Sequence, residues 1–293
     1  MSTSRAATLR RLISTKTVQM PGAFNALCAR AIEKAGFEAV YVSGAGLSNA
    51  VYGLPDVGMI TMTEAVRHAR TICAAVSLPV VVDGDTGFGE AMNTARTVTE
   101  MEAAGVAGIH LEDQVLPKKC GHLDGKELIP AQAMAEKLRA ACAARSDKDF
   151  LIIARTDARG VTSFDDAVDR AKRYLDAGAD AIFPEAMASA DELAKFAAAV
   201  KAPLLANMTE FGKTPLLPLA DLERLGYRMV IYPQTALRVA FGAITSMLSD
   251  LKRAGDQNGW LDRMQTRREL YDLLDYDGLE SIDRAATRGA SGS

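Results

Sequence analysis

Short apolar runs rich in β-branched residues alternate along the chain with longer stretches in which apolar positions recur every three or four residues. The first pattern predicts buried strands and the second amphipathic helices. Eight such runs are present: VQMPGA (18–23), AVYVSG (39–44), PVVVDGD (79–85), GIHLED (108–113), LIIARTD (151–157), AIFPEA (181–186), PLLANM (203–208) and MVIYP (229–233). Several intervening helices end in Ala-Gly or Leu-Gly, at Ala35-Gly36, Ala104-Gly105, Ala177-Gly178 and Leu225-Gly226. Glycine there accepts the left-handed conformation that closes a helix. The alternation fills 18–240 with no Pro/Ser-rich linker, so residues 1–293 read as one domain, a (β/α)8 barrel. An open doubly wound sheet usually has fewer strands and a Gly-rich first turn, whereas the first run here leads into PGAFNA. A helical arm is expected over about 1–17, a helix over 235–256 and more helix over 260–288, with the final RGASGS fraying. That is more helix than one barrel needs, so the segment at about 235–288 is expected to pack elsewhere, including on another subunit.

Composition narrows the partners. With 48% hydrophobic and 24% charged residues, the chain belongs among ordinary globular proteins. Its 34 basic and 37 acidic residues give no electrostatic footprint for nucleic acid or an anionic membrane, so anion binding must be local. No apolar run approaches the roughly 20 residues that span a bilayer, and the N-terminus lacks the apolar stretch of a signal peptide. The expected location is cytoplasmic. Cys28, Cys73, Cys120 and Cys142 form no CxxC pair, which argues against a disulfide scaffold or a zinc ribbon. Three of them lie in alanine-rich helical patterns and read as core thiols. Cys120 does not.

The unusual polar residues collect at the C-terminal ends of the strands, the face that holds the site in barrel enzymes. Side chains alternate along a strand, so Asp83 shares a face with Asp85, His110 with Glu112, Arg155 with Asp157, and Asn207 with Thr209. Asp83, Asp85 and Glu112 at one mouth would repel unless they share a hard divalent cation, and oxygen ligands suit magnesium. Their alternative use is to cap helices or pair with arginines. The three histidines are too dispersed for a zinc site. In PKKCGHLDGK (117–126), Lys118, Lys119 and His122 surround Cys120, a setting that favours thiolate or eases proton transfer. Cysteine near histidine also suits a hydrolase nucleophile, and an exposed basic loop with an incidental cysteine is the bland reading.

The chain resembles the isocitrate lyase and phosphoenolpyruvate mutase superfamily over roughly residues 10–275. The resemblance rests on YVSGAG (41–46), GLPD (53–56), VDGDTGFG (82–89), HLEDQ (110–114), KKCGH (118–122), ARTDA (154–158), FPEA (183–186), NMTEFGKTP (207–215) and MQTRRELY (264–271). KKCGH marks the lyase branch. This chain departs at two positions from the proteobacterial members of that branch, where SGAG reads SGGG and LDGK after the histidine reads RPNK.

The resemblance implies a (β/α)8 barrel whose C-terminal helices are exchanged between subunits, normally in a homotetramer. It implies a Mg2+ cofactor, with Mn2+ as a substitute. Asp83 and Asp85 match the metal ligands, and Asp56, His110 and Glu112 surround the metal and its waters. Ser43, Gly44 and Ala45 match the loop binding the keto-acid end of the substrate. Gly121, His122, Glu185, Asn207, Thr209, Arg238 and Arg267 match further substrate contacts, with Cys120 and Arg155 at the reacting atoms. The implied reaction splits 2-methylisocitrate into pyruvate and succinate, a step of propionate catabolism, with 2,3-dimethylmalate or a related 2-hydroxy or 2-oxo dicarboxylate as the alternative substrate. The chemistry suits the residues: the metal acidifies the alcohol, Arg155 stabilises a doubly charged aci-carboxylate, and Cys120 returns a proton. Tyr41, Glu112 and a metal-bound hydroxide all qualify as the base. A hydrolase using Cys120 as nucleophile, or a non-catalytic barrel binding a ligand through metal, would be a different class of protein.

Overall fold

Burial on both faces explains why the strands read as continuous apolar runs: Val80, Val81 and Val82 are all buried, one side toward the barrel interior and the other toward helices. The computed structural model describes residues 4–289. All eight predicted strands form, shorter than their apolar runs: β1 Val18–Pro21, β2 Val40–Val42, β3 Val80–Asp83, β4 Gly108–Glu112, β5 Leu151–Thr156, β6 Ala181–Pro184, β7 Leu205–Asn207 and β8 Met229–Tyr232. The chain-order neighbours β2 to β6 pair in parallel, and β1, β8 and β7 pair likewise. Parallel bridges Gly22 to Tyr41 and Ile182 to Leu204 join the two sheets, completing the barrel order. Gly36, Gly105, Gly178 and Gly226 all carry positive φ, between 85° and 107°, as helix closure at these positions requires.

Two apolar layers stabilise this unit. Tyr41, Val81, Ile153, Phe183, Leu205, Met229 and Ile231 fill the interior together with Leu9, Leu12 and Ile13 of helix Arg5–Thr15. That helix therefore plugs the end where the strands begin, leaving the opposite mouth for chemistry. An outer layer, including Ile72, Met101, Leu138, Tyr174 and Phe196, seals the helices onto the strands. Strand register then sets the rows of the mouth: Asp83 lies beside His110, Glu112 beside Arg155, and Arg155 beside Phe183.

The chain divides into two compact units, Met1–Leu237 and Arg238–Ser293. Helix Thr235–Ala254 matches the expectation for 235–256, and the stretch at 260–288 resolves into a 3-10 turn, Asn258–Arg263, and helices Arg267–Leu273 and Tyr276–Gly289. Thr266 and Glu269 form a reciprocal cap at the start of the first of these. Within the C-terminal unit Trp260 Nε1 donates to Asp250 Oδ2 at 3.0 Å, and Arg263 stacks on the indole. Many of its apolar side chains face solvent, among them Val239 (70% exposed), Leu279 (63%) and Ile282 (67%). Of the segment expected to fray, residues 290–293 lie outside the described residues.

Candidate active site

The turn after β3 makes the first half of the site. Asp85 adopts φ 46°, which asparagine and aspartate tolerate better than most residues. Its backbone N–H donates to Asp83 Oδ1 at 3.0 Å, and Gly44 N–H, at the start of helix Gly44–Tyr52, donates to Asp83 Oδ2 at 3.1 Å. A side chain at residue 44 would press on both acids: a Cβ would fall 3.1 Å from Asp83 Oδ2 and 3.4 Å from Asp85 Oδ1. Ser43 Oγ accepts from Gln234 Nε2 at 3.3 Å. His110 Nε2 lies 2.8 Å from Tyr41 Oη and 3.5 Å from Asp83 Oδ1. Lys118 reaches the same acids, with Nζ 2.5 Å from Asp56 Oδ1 and 2.6 Å from Asp85 Oδ1.

The second half centres on Arg155. Its guanidinium bonds Asp157 through Nε at 2.9 Å and Nη2 at 3.2 Å, lies 3.1 Å from Glu112 Oε2 and 3.4 Å from Glu185 Oε2, and stacks on Phe183. His122 Nδ1 accepts from the Lys213 backbone N–H at 2.9 Å, so its proton sits on Nε2, 3.2 Å from Glu185 Oε1. Asn207 Nδ2 donates to Glu185 Oε2 at 3.2 Å. One narrow cavity of about 60 Å³ joins the halves, lined among others by Tyr41, Ser43, Ala45, Asp83, Cys120 and Thr209. Pockets for drug-sized ligands hold roughly 300–1,000 Å³, so this cavity is small as it stands.

Charge follows from burial and neighbours. Burial opposes ionisation of Asp83, but His110, Lys118 and Arg155 outweigh it and hold the carboxyl at about 2. Burial and the Asp83 charge push Asp85 up to about 6 against the pull of Lys118. Burial also drives Glu112 well above the carboxylate range and lowers His110 to about 4, leaving a neutral imidazole. Burial and Asp83 raise Tyr41 well above the phenol range, which makes it a hydrogen-bonding phenol and a poor proton acceptor. Burial disfavours the charged form of Glu185 too, yet Arg155 and His122 hold its carboxyl well below the usual range.

Two expectations need correction. The basic neighbours of Cys120 do not favour a thiolate: Lys118 faces Asp56 and Asp85, Lys119 Nζ donates to Gly125 O, and His122 faces Glu185. With those charges engaged elsewhere, burial raises the thiol pKa, and Cys120 stays protonated. Nor do the three acids converge. Asp83 and Asp85 meet at Gly44, while Glu112 turns to Arg155, and among the described residues no three His, Cys, Asp or Glu side chains group so as to hold an ion.

The acid pair nonetheless fits a magnesium ion, which needs one or two carboxylates and completes its shell with water and substrate. Asp85 Oδ1 is buried with the Lys118 ammonium as its close partner, and both Glu112 oxygens are buried without a hydrogen bond. Lys118, Asp157, Phe183 and Gln234 also shape the site. The Arg155–Asp157 strand parity signals Asp157 from sequence, whereas no sequence pattern ties Lys118 to the acids or Gln234 to Ser43. Arg238 and Arg267 belong to the C-terminal unit.

A parallel eight-stranded barrel with acids, a buried arginine and a cysteine loop at its C-terminal mouth defines a class of barrel enzyme. The phosphoenolpyruvate phosphomutase family model matches residues 9–252. The chain is 54% identical to the probable 2-methylisocitrate lyase 2 of Corynebacterium glutamicum over 283 residues, 96% of this chain and 92% of that one. The solved structure of 2,3-dimethylmalate lyase superposes with a TM-score of 0.92 at 34% identity, covering 98% of this chain and 96% of that one. A phosphonopyruvate hydrolase solved with oxalate and Mg2+ superposes at 0.87 with 31% identity, covering 96% and 99%. The chain belongs to the phosphoenolpyruvate mutase/isocitrate lyase superfamily.

Proposed function

We propose that the protein is a magnesium-dependent carbon–carbon lyase that cleaves 2-methylisocitrate to pyruvate and succinate. The carrying observation is that Asp83 and an uncharged Cys120 thiol line one cavity with Arg155, while Asp85 stands beside Asp83 at Gly44 to complete an acid pair fit for a hard cation. Relatives at 46–54% identity bearing the name 2-methylisocitrate lyase support the choice of substrate.

Asp83 and Asp85 would hold the magnesium ion, with Asp56, His110 and Glu112 around it. A magnesium ion held there would supply Lewis acidity, lowering the pKa of the substrate hydroxyl and polarising the carbonyl that replaces it. Ser43, Gly44 and Ala45 receive the keto-acid end beside a helix N-terminus, where backbone N–H groups favour a carboxylate. Arg155 meets the charge that grows on the departing half as the carbon–carbon bond breaks, a role that preorganised cations fill at low cost in a buried site. His122, Glu185, Asn207 and Thr209 orient that half. Cys120 then gives its proton to the departing carbon, the S–H bond breaking as the C–H bond forms, and the proton lost from the substrate hydroxyl restores the thiol by way of solvent, so that no net proton is consumed. A nucleophilic hydrolase would need a thiolate beside a base, and here the thiol is protonated and His122 is turned to Glu185.

The proposal extends to assembly and place. The exposed apolar face of the C-terminal unit supports exchange of its helices between subunits of a homotetramer, which would bring Arg238 and Arg267 to substrate. No described helix is long and apolar enough to cross a membrane, which agrees with a cytoplasmic enzyme. Pyruvate release in magnesium from 2-methylisocitrate, isocitrate, 2,3-dimethylmalate and oxaloacetate, measured side by side, tests the reading. A kcat/KM for 2,3-dimethylmalate well above that for 2-methylisocitrate would overturn the substrate.

A further inference from the structure

The loop carrying Cys120 is tied at its base but must be held at its tip. Val115 N–H donates to Glu127 O and Ile129 N–H to Asp113 O, a ladder that fixes the two stems. Between them, the tip descends far enough that a Cβ on Gly121 would fall 2.5 Å from Arg155 Nη2 and 2.5 Å from Glu185 Cγ. Lys118 and His122 hold it partly, through Asp56, Asp85 and Glu185, but both line the cavity itself.

Lys126 is different. It does not line the cavity, and its side chain is buried (1% exposed). Its ammonium donates to Gly121 O, the carbonyl immediately past Cys120, and to Asp157 Oδ1 at 2.7 Å. Gly160 leaves the space this requires, since a Cβ there would lie 3.3 Å from Lys126 Nζ. Asp157 is also the bidentate partner of Arg155. The closed loop thus places a second cation on the counter-ion of Arg155, and an open loop would leave Asp157 to Arg155 alone.

We propose that Lys126 is a positioning residue: it latches the Cys120-Gly121-His122 turn to Asp157, so that the thiol is over the cavity when Arg155 is charge-balanced for an anionic substrate. The role of the thiol rests on the lyase reading, while the latch itself does not. Breaking a buried ion pair is strongly destabilising to the contact it holds. Peptide mass mapping after brief iodoacetamide treatment reads the latch, with buried Cys73 reporting any general unfolding. Lys126→Met should alkylate at Cys120 about tenfold faster or more than the parent, Cys73 should stay unlabelled, and Lys126→Arg should stay near the parent rate. In turnover, kcat should fall roughly tenfold to a hundredfold with a smaller rise in KM, because the donor is misplaced and His122 moves with it while Ser43, Ala45, Asn207 and Thr209 remain. An unchanged Cys120 labelling rate in Lys126→Met overturns the latch, and so does an unchanged kcat when the parent cleaves 2-methylisocitrate. If Lys126→Met exposes Cys73, Lys126→Gln replaces it under the same criteria. A parent enzyme that releases no pyruvate would sink the lyase reading, and the labelling comparison would still decide the latch.

Discussion

Lys118 places its ammonium 2.6 Å from Asp85 Oδ1, so the acidic mouth carries a cation of its own. Even with this partner, burial and Asp83 push Asp85 up to about 6. A proton therefore competes with any metal at Asp85 near neutral pH. Apparent Mg2+ affinity, measured by calorimetry, should weaken as pH falls below about 6, approaching roughly tenfold per pH unit, and Asp85→Asn should remove most binding. The sign for stability is opposite to that of a salt-bridged acid. Between the ordinary value of 3.8 and about 6, the folded state holds the Asp85 proton more tightly than the unfolded state, so without metal this group's contribution falls as pH rises through that window. In chelator, the Tm advantage of Asp85→Asn over the parent should widen from pH 4 to pH 6.5, while turnover of the variant is abolished. A constant difference would contradict the assignment.

Gly44 offers a sharper test of where the metal sits. A methyl group there enters the space between Asp83 and Asp85 without altering either carboxylate's charge. Gly44→Ala should lower Mg2+ affinity about tenfold to a hundredfold, the range seen when groups around a metal are disturbed. Its Tm in chelator should stay close to the parent's. Equal Mg2+ affinity in both proteins would move the metal elsewhere.

Assembly follows from the C-terminal unit. Val239, Leu248, Leu279 and Ile282 are each more than half exposed, and burying such side chains stabilises by about 1.5–3 kcal/mol apiece. Sedimentation should therefore give a mass above that of one 31.3 kDa chain, and removing residues 256–293 should cost both association and activity. A fully active monomer would contradict helix exchange.

Much of the barrel is legible in sequence because parallel strands buried on both faces must be apolar throughout, as VVVD and LIIART are. Strand parity likewise foretells that Asp83 lies beside His110, and Glu112 beside Arg155, since parallel register aligns equivalent strand ends, but not that Glu112 turns from the acid pair to the arginine. What parity does not reveal is pairing between loops. The position of Lys118 depends on how residues 117–126 fold back on Asp56 and Asp85, contacts spanning 62 residues in the first case. The charge around Cys120 was misleading for the same reason: adjacent basic residues raise local charge in sequence, but each finds a partner elsewhere once the loop closes.

Cys120 as proton donor makes the last prediction. Burial keeps the thiol protonated, and the loop brings it to the cavity that Arg155 and Glu185 also line. A donor of this kind gives up a proton after the carbon–carbon bond has broken, so no acyl or alkyl intermediate forms on sulfur. Cys120→Ser retains the shape and the hydrogen-bonding capacity, yet its alcohol is a far weaker acid. The variant should bind substrate and magnesium nearly as the parent does, with KM little changed. Its kcat should fall by the ~100- to 10,000-fold typical of losing a general acid. Intact-mass measurement during turnover should find the parent chain unmodified. A covalent adduct at Cys120 with genuine substrate would refute the donor role, and so would an undiminished kcat in Cys120→Ser, because then the proton must come from another group in the cavity.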